Sequence, residues 1–88
     1  MKNLSLNILE ELFNEAKENN AKYIGVKIKM QGFIEPEVII NPYQNFIDKL
    51  NYYLKAYNED LTLKSFNGIK IIDCAYANNY NDLELILN

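Results

Sequence analysis

The stretch KYIGVKIKM, residues 22–30, decides the fold. Apolar and polar side chains alternate along it. Ile24, Val26, Ile28 and Met30 point one way, and Tyr23, Gly25, Lys27 and Lys29 point the other. A period of two is the pattern of a β-strand with one buried and one wet face. Such a strand needs partners in a sheet and a layer of helices on its apolar side.

Working outward, Gln31-Gly32-Phe33-Ile34-Glu35-Pro36 reads as a connecting loop, and Glu37 to Ile40 as a second strand. A loop of that length suits an antiparallel hairpin. Asn41-Pro42 then reads as a helix start, with Asn as the cap and Pro preorganised at the first helical position. Tyr43, Phe46, Ile47, Leu50, Tyr53, Leu54 and Tyr57 follow at helical spacing, which carries the helix to about Asn58. Upstream, Ile8, Leu9, Leu12, Phe13 and Ala16 mark an amphipathic helix over Ser5–Asn19, with Asn7 and Glu10 in capping-box spacing.

Downstream, Leu61 to Phe66 fits a short strand or a loop that packs Leu61, Leu63 and Phe66 beneath the sheet, the loop being preferred. Asn67-Gly68 fits a two-residue turn. Ile69 to Tyr76 reads as a strand loaded on both faces, and Tyr80 to Leu87 as a closing helix with Leu83, Ile86 and Leu87 inward. The predicted class is α+β, in the order α-β-β-α-β-α. A right-handed crossover makes the third strand parallel to the second. The prediction is thus a two-layer sandwich, a three-stranded mixed sheet with all helices on one face.

The chain has 88 residues, enough for a single domain. With 49% hydrophobic and 24% charged residues it has the composition of a folded protein rather than a disordered one. The net charge of −3 offers no basic footprint for phosphate neutralisation, so direct nucleic-acid binding is not expected. One cysteine, Cys74, permits no internal disulfide and suits a reducing compartment. The start Met1-Lys2-Asn3-Leu4 lacks a signal-peptide pattern, and no apolar run approaches a membrane span. A cytoplasmic location, in a bacterial host, is the expectation.

Much catalytic chemistry is missing. There is no His to act as a general base or metal ligand, and no Arg to clamp phosphate or carboxylate. Cys74 has no His to activate it and lies in an apolar strand. Glu35 with Glu37, and Asp82 with Glu84, read as solvated loop and cap residues rather than a metal site. Asp73 is explained by pairing with Lys27 or Lys29. Neither catalytic residues nor metal ligands nor a cofactor is assigned.

Recognition chemistry is plentiful by contrast. Seven tyrosines in 88 residues is a marked excess, and tyrosine anchors interfaces at low entropic cost. Tyr53 and Tyr57 fall on the apolar stripe of the second predicted helix. Tyr52 falls off it, and Tyr23 points to the polar sheet face. Tyr23 and Tyr52, with Phe33, Ile34, Glu35 and Glu37 of the hairpin loop, are the candidates for binding a protein partner. A second group gathers where the carboxyl ends of the predicted parallel strands meet: Lys22, Asn41, Tyr43, Tyr76, Asn78, Asn79 and Tyr80. That edge suits a small nucleotide-like ligand, against the plainer reading of Asn as turn and cap chemistry. The wet sheet face, expected to carry Ile39 and either Ile72 with Cys74 or Ile71, suits a symmetric homodimer.

The segments AKYIGVKIKMQGF (21–33), PEVIINP (36–42), NFIDKLNYYLKAYNEDLTLK (45–64) and NGIKII (67–72) together resemble small proteins carried by phages and prophages of low-GC Gram-positive bacteria. The resemblance covers about residues 21 to 72 and brings no catalytic motif. It implies an accessory role against host defence. Such a protein would be an anti-CRISPR-like inhibitor that binds a host defence protein, or a sponge for a signalling nucleotide. A dimeric structural or regulatory phage component is the third reading.

Overall fold

The computed structural model describes residues 4–88. Helix α1 (Leu6–Glu18) is followed by β1 (Tyr23–Met30), β2 (Glu37–Pro42), a single 3-10 turn (Tyr43–Asn45), α2 (Phe46–Ala56), β3 (Thr62–Leu63), β4 (Phe66–Ala77) and α3 (Tyr80–Leu87). The strands form one sheet in the order β2-β1-β4-β3, with every neighbouring pair antiparallel. The class is α+β, as the alternation in residues 22–30 requires. Among the described residues no helix is long and apolar enough to cross a membrane.

The sheet has four strands rather than three and is antiparallel rather than mixed. The expected crossover placed the last long strand beside β2. Instead β4 inserts on the other side of β1, pairing Val26 with Cys74 and Ile24 with Tyr76. This position gives β1 two hydrogen-bonded flanks. Strands β2 and β4 do run in the same direction, but β1 separates them.

The helices are not all on one face. Leu9, Phe13 and Ala16 of α1 and Phe46 and Tyr53 of α2 pack on the Ile24, Val26, Ile28 and Ile71 side. Phe13 meets Phe46 and Tyr53 edge-on, with ring centroids 6.2 and 6.0 Å apart. Helix α3 lies on the opposite face, where Leu83 and Leu87 close over Gly25. The expected two layers are therefore three where α3 lies. Leu85 and Ile86 remain exposed, so the inward assignment of Ile86 does not hold.

Local chemistry explains most boundaries. Helix α1 is capped by Ser5, whose Oγ accepts the Ile8 N–H at 3.3 Å, not by Asn7. Its far end is a Schellman turn: Asn20 takes φ 55°, Ala21 N–H donates to the Ala16 carbonyl and Asn20 N–H to that of Lys17. Asn41-Pro42 starts no helix. Both residues extend β2, and α2 begins after Asn45, which makes no side-chain cap bond. Helix α2 stops at Ala56, and Tyr57 is already extended. The 61–66 segment contains a true strand, β3, and the turn lies at Lys64-Ser65, so Asn67-Gly68 is within β4 rather than at a turn. Ile69, Ile71 and Ile72 load both faces of β4 because the register shifts there: Lys27 faces Asp73 and Ile28 faces Ile71, leaving Ile72 as the extra residue of a bulge.

Candidate functional site

The sheet face beneath α1 and α2 is not fully covered. Helix α2 starts at the end of β2, and the chain just beyond its last turn bridges to β3, Tyr57 pairing with Leu63. On this face a cleft of about 510 Å³ remains, lined by α2 on one side and sheet residues on the other. Its floor is Ile28, Met30, Ile39 and Ile69, and Leu63 closes one end. Asp48, Lys49, Tyr52 and Tyr53 form the α2 wall, while Glu37, Asn41 and Asn45 form the polar rim. The volume falls in the range of small-ligand and side-chain pockets, and the mix of apolar floor and sparse polar groups is typical of them.

Tyr53 is the central residue of this wall. It is 1% exposed, and its hydroxyl has no hydrogen-bond partner among the described residues. An unpaired buried hydroxyl costs about 1–3 kcal/mol of stability. Its ring is fixed by Phe13, by Tyr52 at 5.5 Å and by Tyr57 at 5.6 Å. Burial pushes the phenol far above its ordinary range, and the neighbouring Tyr57, Cys74 and Tyr52 add to the effect. The group therefore stays protonated. The Lys49 ammonium lies 5.3 Å from the Tyr52 ring centre and 5.6 Å from that of Tyr53. Cation–π attraction holds that charge at the mouth of the cleft.

Of the residues singled out from the sequence, Tyr52, Glu37 and Asn41 reach the cleft. Phe33, Ile34 and Glu35 are exposed in the β1–β2 loop, at the end of the sheet where Met30 pairs with Ile69. Exposed Phe66 joins them there, since Gln31 N–H bonds the Gly68 carbonyl across the same end. Tyr23 is remote from this group. It lies on the α3 face, edge-on to Tyr80 at 5.8 Å.

The second predicted group is brought together, though by another topology. The carboxyl ends of β2 and β4 flank the start of β1, pairing Tyr23 with both Pro42 and Ala77. Several of its polar groups are already engaged. Asn78 accepts the Lys22 N–H, Tyr43 N–H donates to the Lys22 carbonyl, and the Tyr76 hydroxyl accepts from Asn19. Asn79 accepts the N–H groups of Asn81 and Asp82 as the cap of α3. A shallow hollow lined by Asn20, Ala21, Lys22 and Tyr43 is what remains open.

The wet-face dimer surface does not exist as expected. The register puts Ile39 opposite Val26 and Cys74 opposite Val26 from the other flank, so both belong to the helix-bearing face. Ile71 is buried there too, and only bulged Ile72 is exposed. Among the described residues no group of three or more Cys, Asp or Glu is placed to hold a metal ion.

Sequence reading missed the cleft because Tyr53 fell on the apolar stripe and was assigned to packing. The available signal was its hydroxyl: a tyrosine at a core position needs a partner, and none was named. Comparison with family models, with curated protein sequences and with solved structures returned no match.

Proposed function

We propose that this chain acts by binding rather than by catalysis, and that the cleft beneath α2 receives an apolar group of a partner protein. The observation that carries this reading is the open cleft, an apolar floor of Ile28, Met30, Ile39 and Ile69 under a polar rim. A partner side chain on Ile28, Met30, Ile39 and Ile69 supplies the missing contacts. A protein fits better than a small molecule because the apolar surface continues past the cleft. Phe33 and Ile34 stand exposed at the same end of the sheet, and Tyr52 stands on the rim. A packed central anchor with surrounding contacts that exclude water is the usual anatomy of a protein interface.

The biological setting proposed for this binding is inhibition of a bacterial host defence protein, which the resemblance to phage-borne proteins supports. Nucleotide capture at the Lys22–Tyr43–Asn78 edge is weaker, because several polar groups there already serve turns and caps.

Selection of a displayed random-peptide library on the immobilised chain tests the cleft. Enriched peptides should share an apolar residue and lose affinity at least tenfold against Ile69→Asp, with Phe33→Ser and Ile34→Ser weakening them less. Binders indifferent to Ile69, or no enrichment at all, would remove this reading.

A further inference from the structure

Strand β2 lies at one edge of the sheet, and its backbone phase is fixed. Tyr43 N–H donates to the Lys22 carbonyl at 2.9 Å, so Lys22 and Tyr43 form a hydrogen-bonded pair. Antiparallel ladders alternate hydrogen-bonded and open pairs. Ile24–Asn41, Val26–Ile39 and Ile28–Glu37 are then the bonded pairs along the register. It follows that Val38 and Ile40 turn their N–H and C=O groups away from β1, outward from the sheet.

This edge is protected only at its ends. Natural edges are blunted by lysines, prolines, bulges or extreme shortness. The opposite edge, β3, has two residues. Strand β2 has six, EVIINP, with no lysine and no register shift against β1. Prolines bracket it, Pro36 just before and Pro42 at its end.

We propose that β2 pairs antiparallel with β2 of a second copy about a two-fold axis at Ile39, making one sheet of eight strands from two sheets of four. The sequence is self-complementary in this register. Val38 stands opposite Ile40 of the second copy, so the outward groups of each bond those of the other. Ile39 faces its own counterpart, and Glu37 faces Asn41, a carboxylate against an amide that can donate to it. Pro36 faces Pro42, so residues lacking an N–H fall outside the bonded pairs. Registers centred on Val38 or Ile40 use the same outward N–H groups but set Glu37 against Ile39 or Tyr43 instead of Asn41. Further apolar area lies close by. Helix α3 reaches β2 on one face and exposes Leu85 and Ile86, and exposed Tyr43 and Ile47 follow β2 in the chain as it enters α2.

Sedimentation of the full chain across a micromolar concentration series should show a species of twice 10.3 kDa. Ile40→Pro removes one outward N–H and leaves the β1 ladder intact, so the folded variant should sediment as a single chain. Ile39→Cys places two thiols on the axis with Cα atoms about 4.5 Å apart, inside the range a disulfide spans. It should form a covalent dimer on mild oxidation, at least tenfold faster than Ile40→Cys, whose thiols are out of register. The buried Cys74 takes no part. A wild-type chain of single mass throughout, a folded Ile40→Pro dimer, or equal crosslinking of the two cysteine variants would each overturn the proposal. A monomer that still selects apolar peptides would overturn the edge and leave the cleft standing.

Discussion

Gly25 of β1 lies beneath Leu87 of α3, so close that a Cβ built on Gly25 would stand 2.5 Å from Leu87 Cδ1 and 3.3 Å from Leu83 Cδ2. The glycine is not there for its backbone freedom, since its φ is not left-handed. It is there because α3 approaches the sheet at this point. Ala75 opposite it on β4 is also small. Together they make a shallow seat for Leu83 and Leu87, both essentially buried.

The seat predicts a graded size response. Gly25→Ala pushes one methyl into the end of a leucine side chain, which can rotate away, and should cost about 1 kcal/mol. Gly25→Val cannot be relieved so simply and should cost about 2–3 kcal/mol, in the range of overpacked cores. Urea denaturation measures both, and amide exchange should show the loss concentrated in residues 80–87. Uniform loosening across α1 and α2 would mean that α3 is not the element displaced.

Tyr53→Phe should do the opposite of most core substitutions. It deletes a hydroxyl without a partner and keeps the ring among Phe13, Tyr52 and Tyr57. The free chain should gain on the order of 1 kcal/mol, because an unpaired buried hydroxyl is removed. A loss of stability would show that the hydroxyl is satisfied in solution.

How far the sequence could be read follows from the range of the forces involved. Residues 22–30 announced β1 correctly because alternation is a local pattern that burial on one side enforces. Tyr80–Leu87 was legible as a helix for the same kind of reason. The neighbour of β4 was not, since choosing between β2 and β1 depends on contacts far apart in the chain. The side of the sheet taken by α3 hung on Gly25, and a lone glycine in a strand does not say which helix needs the space. The edge group from Lys22 to Tyr80 came together despite the wrong topology, because β2 and β4 share a direction whether or not they touch. The cleft escaped notice because it is defined by what α2 leaves uncovered.

Two asparagines that look alike in sequence should respond differently to replacement. Asn79 accepts the N–H groups of Asn81 at 2.8 Å and Asp82 at 3.3 Å, so Asn79→Ala should cost about 1 kcal/mol through loss of the α3 cap. Asn41 precedes a proline and resembles a cap, yet it sits within β2 and opens no helix. Asn41→Ala should change stability by no more than about 0.5 kcal/mol. Thermal unfolding of the pair decides it: an Asn41 effect as large as that of Asn79 would place a helix start where the fold has a strand.

Stability should fall in alkali, beginning with Cys74. Burial, with Asp73 adjacent, pushes this thiol up to about 12 from an ordinary value of 9.0. The Tyr53 phenol is raised from 10.0 in the same direction, chiefly by burial. Each group holds its proton more tightly in the folded chain than in the unfolded one. The stability they contribute is complete below pH 9, and it is lost as pH climbs from 9 toward 12 for Cys74 and from 10 upward for Tyr53. Each group contributes a slope of at most about 1.4 kcal/mol per pH unit. The urea midpoint, followed from pH 8 to alkaline values, should begin to drop near pH 9 in the wild type. In Cys74→Ala the onset should move to about pH 10, where tyrosine takes over. Identical curves between pH 9 and 10 would mean that the thiol is solvated in the folded chain, and rapid reaction with a disulfide reagent at neutral pH would say the same.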